Sequence, residues 1–174
     1  MSDQDSPVPE FSGPWAPAFT SAYREASSDF ERKALSDGTV SGEELAEVEL
    51  GFITCLEAVG LTSDGFNPDG SVGFAFPPDM GSHKANALSD RCSASSGFDT
   101  VGSLYFATHR NPQNLDDAKI IAACLVQKKV VPPSYGASDY NRDAPDRAFP
   151  FSDSGVGTKA LTTCTTDPLG LLKQ

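Results

Sequence analysis

Cys55, Cys92, Cys124 and Cys164 are the only cysteines in 174 residues, and neighbouring ones lie roughly 30–40 residues apart. No CxxC or CxH spacing joins any of them, which argues against a zinc knuckle. An even number of widely spaced cysteines in an acidic chain without a Cys/His cluster reads as two disulfides. Four buried thiols in a reducing compartment are the alternative. Of the three connectivities open to four cysteines, Cys55–Cys92 with Cys124–Cys164 is favoured, because it staples each helical unit to the segment after it. Closing loops of this length contributes on the order of 3–4 kcal/mol each. That matters for a chain with 39% apolar residues, enough for one modest core. The length fits one domain.

Charge is the second constraint. Twenty-four acids face 13 Lys and Arg, a formal net charge of −11. Nucleic acid is thereby disfavoured as a partner, since phosphate binding needs basic patches, and so is adsorption to anionic lipid. The imbalance is local. No basic residue lies between Lys33 and Lys84, where Asp37, Glu43, Glu44, Glu47, Glu49, Glu57, Asp64, Asp69 and Asp79 all fall. The stretch reads either as a solvated acidic face or as a face that attracts cationic ligands. No run approaches the ~20 apolar residues of a membrane span. Residues 1–13 are polar and rich in Pro and Ser, without apolar periodicity. They are expected to form either an ordinary frayed terminus or a flexible tether ahead of a single domain over 14–174, with Met1 standing where a signal or lipidated cysteine was removed.

Periodicity predicts a mainly α fold with a small β element, an α+β class. Trp15, Phe19, Ala22/Tyr23, Ala26 and Phe30 form the apolar stripe of a first helix over about 17–36, stopped by Asp37-Gly38. Ser41-x-x-Glu44 is a capping box opening a second helix to about Val59, before Gly60. The two should form an N-terminal helical hairpin with an acidic outer surface. Turn residues fill Ser63 to Gly70, and Val72, Phe74 and Phe76 then alternate as in a short strand. Residues 79–100 read as loop or a short helix around Cys92, and Ser103–Thr108 as a short strand or a turn of helix. Asn111-Pro112 should open a third helix reaching about Lys129, and the proline-rich remainder should be mostly irregular, with a helical turn near Ser138–Asn141.

The motifs that suggest chemistry mostly fail on inspection. Asp37 to Glu44 matches the second half of a calcium loop, but its first and third positions would be Lys33 and Leu35, which offer no oxygens. Asn67-x-Asp69-Gly70 would begin at Gly65 and end at Phe76 and is a turn. His83 and His109 each stand alone. The serine clusters lack the G-x-S-x-G elbow and S-x-x-K, and no phosphate-binding glycine loop is present. No catalytic residue, metal or cofactor is expected. Apolar material remains at Phe74, Phe76, Val130 to Tyr135, Tyr140 and Phe149-Pro150-Phe151. Most of it reads as core, as aromatics usually are; any of it exposed beside an acidic hairpin would give an apolar groove with an anionic rim, suited to a cationic, amphipathic peptide. The candidate contacts are Glu43, Glu44, Glu47 and Asp64 for charge, with Phe74, Phe76 and Tyr135 for apolar surface.

Much of the chain resembles a group of exported actinobacterial lipoproteins. The resemblance rests on Trp15…Phe19…Tyr23…Ser28-Asp-Phe-Glu-Arg32…Asp37-Gly…Ser41…Glu44…Cys55-Leu…Gly60. It continues through Asn111-Pro…Asp116…Ile121-Ala-Ala-Cys-Leu125…Val131-Pro-Pro…Asp139-Tyr…Asp143…Phe149…Cys164…Asp167-Pro168. In size and acidity the chain is similar to lantibiotic self-resistance lipoproteins, which bind the producer's own peptide before it reaches lipid II. The resemblance implies a monomer, lipid-anchored at the extracellular face of the cytoplasmic membrane, with a peptide antibiotic as partner and no catalytic residues. The other expectation is a cell-envelope module that recognises a protein.

Overall fold

Two serine–glutamate capping boxes organise the start of the chain, and the first breaks the helix expected over 17–36. The computed structural model describes residues 7–172. Helix α1 spans Ala16–Glu25 and α2 spans Asp29–Leu35. Between them, the Ser28 side chain accepts from the Glu31 N–H while the Glu31 carboxylate takes the Ser28 N–H at 2.8 Å. These local bonds satisfy the backbone groups that a continuous helix would otherwise pair, so the chain caps and restarts. Asp37-Gly38 ends α2 as expected, with the Asp37 carboxylate taking the Thr39 N–H at 3.0 Å. The second capping box, Ser41 with Glu44, opens α3, Gly42–Ala58, and Gly60 follows at φ +83°.

The chain divides into two compact units between Thr108 and His109. In the first, α3 packs chiefly on α4, Ser82–Ser96, and on a π-helical turn at Phe98–Gly102; α1 and α2 pack on each other and on the same turn. Of the two readings of this stretch, loop or a short helix around Cys92, the helix forms and is longer than expected, at 15 residues. Its Ala85, Leu88, Ser89 and Cys92 fall on one buried stripe at helical spacing. Ser103–Arg110 is helix α5. The Cys55–Cys92 bond joins α3 to α4 with a Cα–Cα distance of 5.5 Å. Phe19, Leu35, Val48, Val101 and Leu104 make one part of the core, and Phe52, Leu56, Leu61 and Leu88 another. Phe66 touches both, its ring centroid 4.7 Å from that of Phe98 and 5.6 Å from that of Phe52. Of the expected tether, residues 1–6 lie outside the described residues, and Phe11 packs against Phe19 at 5.7 Å.

The expected β element does not form: no strand is present among the described residues. In its place, residues 62–75 make an irregular hairpin with two isolated antiparallel bridges, Thr62 with Ala75 and Phe66 with Val72. Thr62 and Ala75 exchange both backbone bonds, at 3.0 and 2.8 Å. Gly65, at φ +100°, bends one arm between the two bridges and interrupts the ladder. Alternation at Val72 and Phe74 was therefore real, but its pairing partner is too bent to extend a ladder.

In the second unit, α6 runs over Asp117–Gln127, later than the expected start at Asn111. The buried Asn111 amide instead brackets Leu115, donating to its carbonyl at 2.8 Å and accepting its N–H at 2.9 Å, and Asp116 caps the helix. Helix α7 spans Ala137–Asp143. The tail expected to be mostly irregular carries α8, Ser154–Thr166, capped by Asp153. The Cys124–Cys164 bond ties α6 to α8, so both disulfides pair as the sequence favoured. Ile121, Leu125, Val131, Tyr135 and Leu161 form the core. Gly157 is buried under the Phe151 ring, where no Cβ would fit. Among the described residues no helix is long and apolar enough to cross a membrane.

Candidate ligand-binding groove

The acidic residues between Lys33 and Lys84 separate into two groups once their hydrogen bonds are known. Asp37, Glu44, Glu49 and Asp69 hold local structure. Glu44 closes its capping box through Oε2, 2.8 Å from the Ser41 N–H. Glu49 accepts the Phe66 N–H at 2.6 Å, fixing the hairpin loop to α3. Asp69 accepts from the Ser71 hydroxyl and N–H, and these bonds hold its carboxyl below its ordinary value. Glu43, Glu47, Glu57, Asp64 and Asp79 are exposed. Among the described residues no arginine or lysine pairs with any of these nine acids. The first unit holds five Lys and Arg against 17 Asp and Glu, and the second holds eight against seven. The whole negative charge of the protein thus belongs to the unit that carries the hairpin loop.

That loop encloses a groove of 390 Å³ between Thr62–Gly65 on one arm and Gly73–Ala75 on the other, with Asn67 also lining it. The Ser63 hydroxyl ties the arms together, donating to the Gly73 carbonyl at 2.6 Å and accepting the Gly65 N–H at 3.2 Å. Gly65 is required here: its backbone is left-handed, and a Cβ would collide with the Glu49 carboxylate. Asp64 contributes an exposed carboxylate. Phe74 is half-buried, its ring packed on the core that includes Leu56 and Cys92, and 6.3 Å from the ring of Phe76, which is 38% exposed.

Two of the residues singled out from sequence, Asp64 and Phe74, therefore line one groove, and Phe76 lies beside Phe74 without lining it. Glu43, Glu44 and Glu47 lie in the first two turns of α3, and the carboxylate of Glu44 is already engaged. Tyr135 does not belong with them. It lies in the second unit, 7% exposed, with its hydroxyl donating to Asp143 at 3.0 Å. Burial, then the bond to Asp143, raises its pKa well above that of a free tyrosine, so it stays neutral and structural. Of the two readings of Val130 to Tyr135, core or exposed surface, the core one holds at Tyr135. Ser63, Gly65 and Asn67 were not among the candidate contacts, although the density of turn residues marked the loop. The calcium-like segment is accounted for by local bonds, Asp37 to Thr39 and Glu44 to Ser41. Among the described residues no group of His, Cys, Asp and Glu could hold a metal ion.

The groove offers a carboxylate, backbone polar groups and aromatic edges, a combination that can hold a cationic group beside an apolar one. No protein-family model matches the chain, and searches of curated proteins and of solved structures find no match.

Proposed function

We propose that this protein is an extracytoplasmic, membrane-tethered binding protein that gives self-resistance by sequestering a cationic, amphipathic lantibiotic. The observation that carries the reading is the groove lined by Asp64 and Phe74, with the exposed Phe76 ring beside Phe74, on the unit that holds the whole negative charge. A peptide with basic side chains is drawn to such a surface over roughly a Debye length, about 8–10 Å at physiological salt. Apolar lanthionine rings would then lie against Phe74 and Phe76 while a basic group meets Asp64. The two disulfides fit an oxidising compartment, and the resemblance to immunity lipoproteins supports a position at the outer face of the cytoplasmic membrane.

Titration calorimetry with a purified cationic lanthionine peptide tests the reading. Binding should weaken about fivefold to thirtyfold in Asp64→Asn and in Phe76→Ala, corresponding to about 1–2 kcal/mol for each lost contact. It should also weaken with added salt. An absence of heat with fully folded protein would remove the peptide reading and leave a cell-envelope protein-interaction module as the alternative.

A further inference from the structure

We infer that the second unit carries a separate site for an acidic sugar, a hydroxylated ring bearing a carboxylate or phosphate. The site is a 290 Å³ concavity between the end of α7 and the face of α8, walled by Tyr140, Phe149 and Leu161, with Arg147, Thr162 and Thr165 as its polar groups. Each wall dictates one part of the ligand. The Tyr140 and Phe149 ring centroids lie 5.8 Å apart with their planes inclined by 37°, and together with Leu161 they present an apolar wall to a ring. The Thr162 hydroxyl donates to the Thr158 carbonyl at 3.1 Å, and that of Thr165 donates to Leu161 at 2.9 Å. Their protons being engaged, both oxygens have only lone pairs to offer, so the ligand must bring donor hydroxyls. Arg147 calls for an anion. Among the described residues its guanidinium has no partner, whereas Arg142 neutralises the neighbouring Asp139 and Asp143. Asp146 is exposed beside it and does not line the cavity.

The Ala148 N–H bonds the Asp143 carbonyl at 3.0 Å and the Arg147 N–H bonds that of Ala144 at 3.2 Å, the paired bonds that close a helix with a left-handed residue. Arg147 is that residue, at φ +52°, a place that ordinarily favours glycine. The same left-handed cap closes α6 at Lys129, φ +58°, and what sets Arg147 apart is that it lines the aromatic concavity. The second unit, with eight basic residues against seven acids, does not repel an anion as the first unit would.

The test is amide chemical-shift titration of the whole protein with sodium glucuronate, glucose 6-phosphate and glucose. Glucuronate should shift the amides of Arg147, Phe149 and Thr162, and should bind about tenfold tighter than glucose. Glucose 6-phosphate binding tighter still would assign the anion as phosphate within the same site. Arg147→Gly should raise the melting temperature by relieving the left-handed arginine and weaken glucuronate binding about tenfold. Thr162→Val should weaken glucuronate severalfold without moving the melting temperature downward by more than about 2 °C. Glucose binding as tightly as glucuronate, undiminished binding in Arg147→Gly, or no shift at about 50 mM glucuronate, above the millimolar range of a weak site, would each overturn the inference.

Discussion

The carboxylate of Glu31 takes hydrogen bonds from the hydroxyls of Ser27, Ser28 and Thr100 and from the N–H groups of Ser27 and Ser28, while the residue is only 3% exposed. Burial pushes its pKa up, but the bonds from Thr100, Ser28 and Ser27 outweigh it and hold the group below its ordinary 4.5. A depressed folded value means stability that is present in full above the unfolded pKa and lost as pH falls through the folded one. Urea unfolding should therefore show stability declining from about pH 4.5 downward, with a flatter decline in Glu31→Gln. At pH 7 that variant should lose about 2–3 kcal/mol, because an amide leaves several donors unsatisfied. Tyr135→Phe should cost less, about 1 kcal/mol for one buried hydroxyl bond to Asp143, and should leave peptide binding unchanged. The same urea measurement, paired with calorimetry, checks both.

At the scale of elements, the capping chemistry explains what could be read ahead of the structure. Ser41-x-x-Glu44 announced α3 correctly, and the same signal at Ser28-x-x-Glu31 was present but hidden inside a continuous apolar stripe. Ser28→Ala should lower the melting temperature by removing a cap worth about 1 kcal/mol and one donor to Glu31. Helix α4 was left open between a loop and a short helix because its buried stripe uses Ala85, Ser89 and Cys92, small residues with weak hydrophobic contrast. The strand expected at Val72–Phe76 failed for a non-local reason. Its partner arm is bent at Gly65 to let Glu49 reach the Phe66 N–H, and no local pattern announces that contact. The acidic and aromatic members of the groove were thus legible as residue types, whereas their convergence depended on this bend. Gly65→Ala should force the arm off α3, lower stability and weaken peptide binding together, a pairing that calorimetry and thermal melts would register.

On the scale of the whole molecule, each unit carries one disulfide linking two helices, with sequence separations of 37 and 40 residues. Reduction should remove about 3–4 kcal/mol per bridge by freeing loops of that length in the unfolded chain. Cys55→Ala with Cys92→Ala should therefore loosen the groove-bearing unit, and peptide binding should fail in it before it fails in the Cys124→Ala, Cys164→Ala protein. The charge follows the same division: the sequence of the groove's unit holds 17 acids against five basic residues, so cationic ligands should be steered there. Residue-level mapping tests this most directly, by titrating isotopically labelled protein with a purified cationic lanthionine peptide and following every amide. The shifts should concentrate on residues 62–76 and shrink with salt; shifts confined to residues 109–172, or none at large peptide excess, would contradict it.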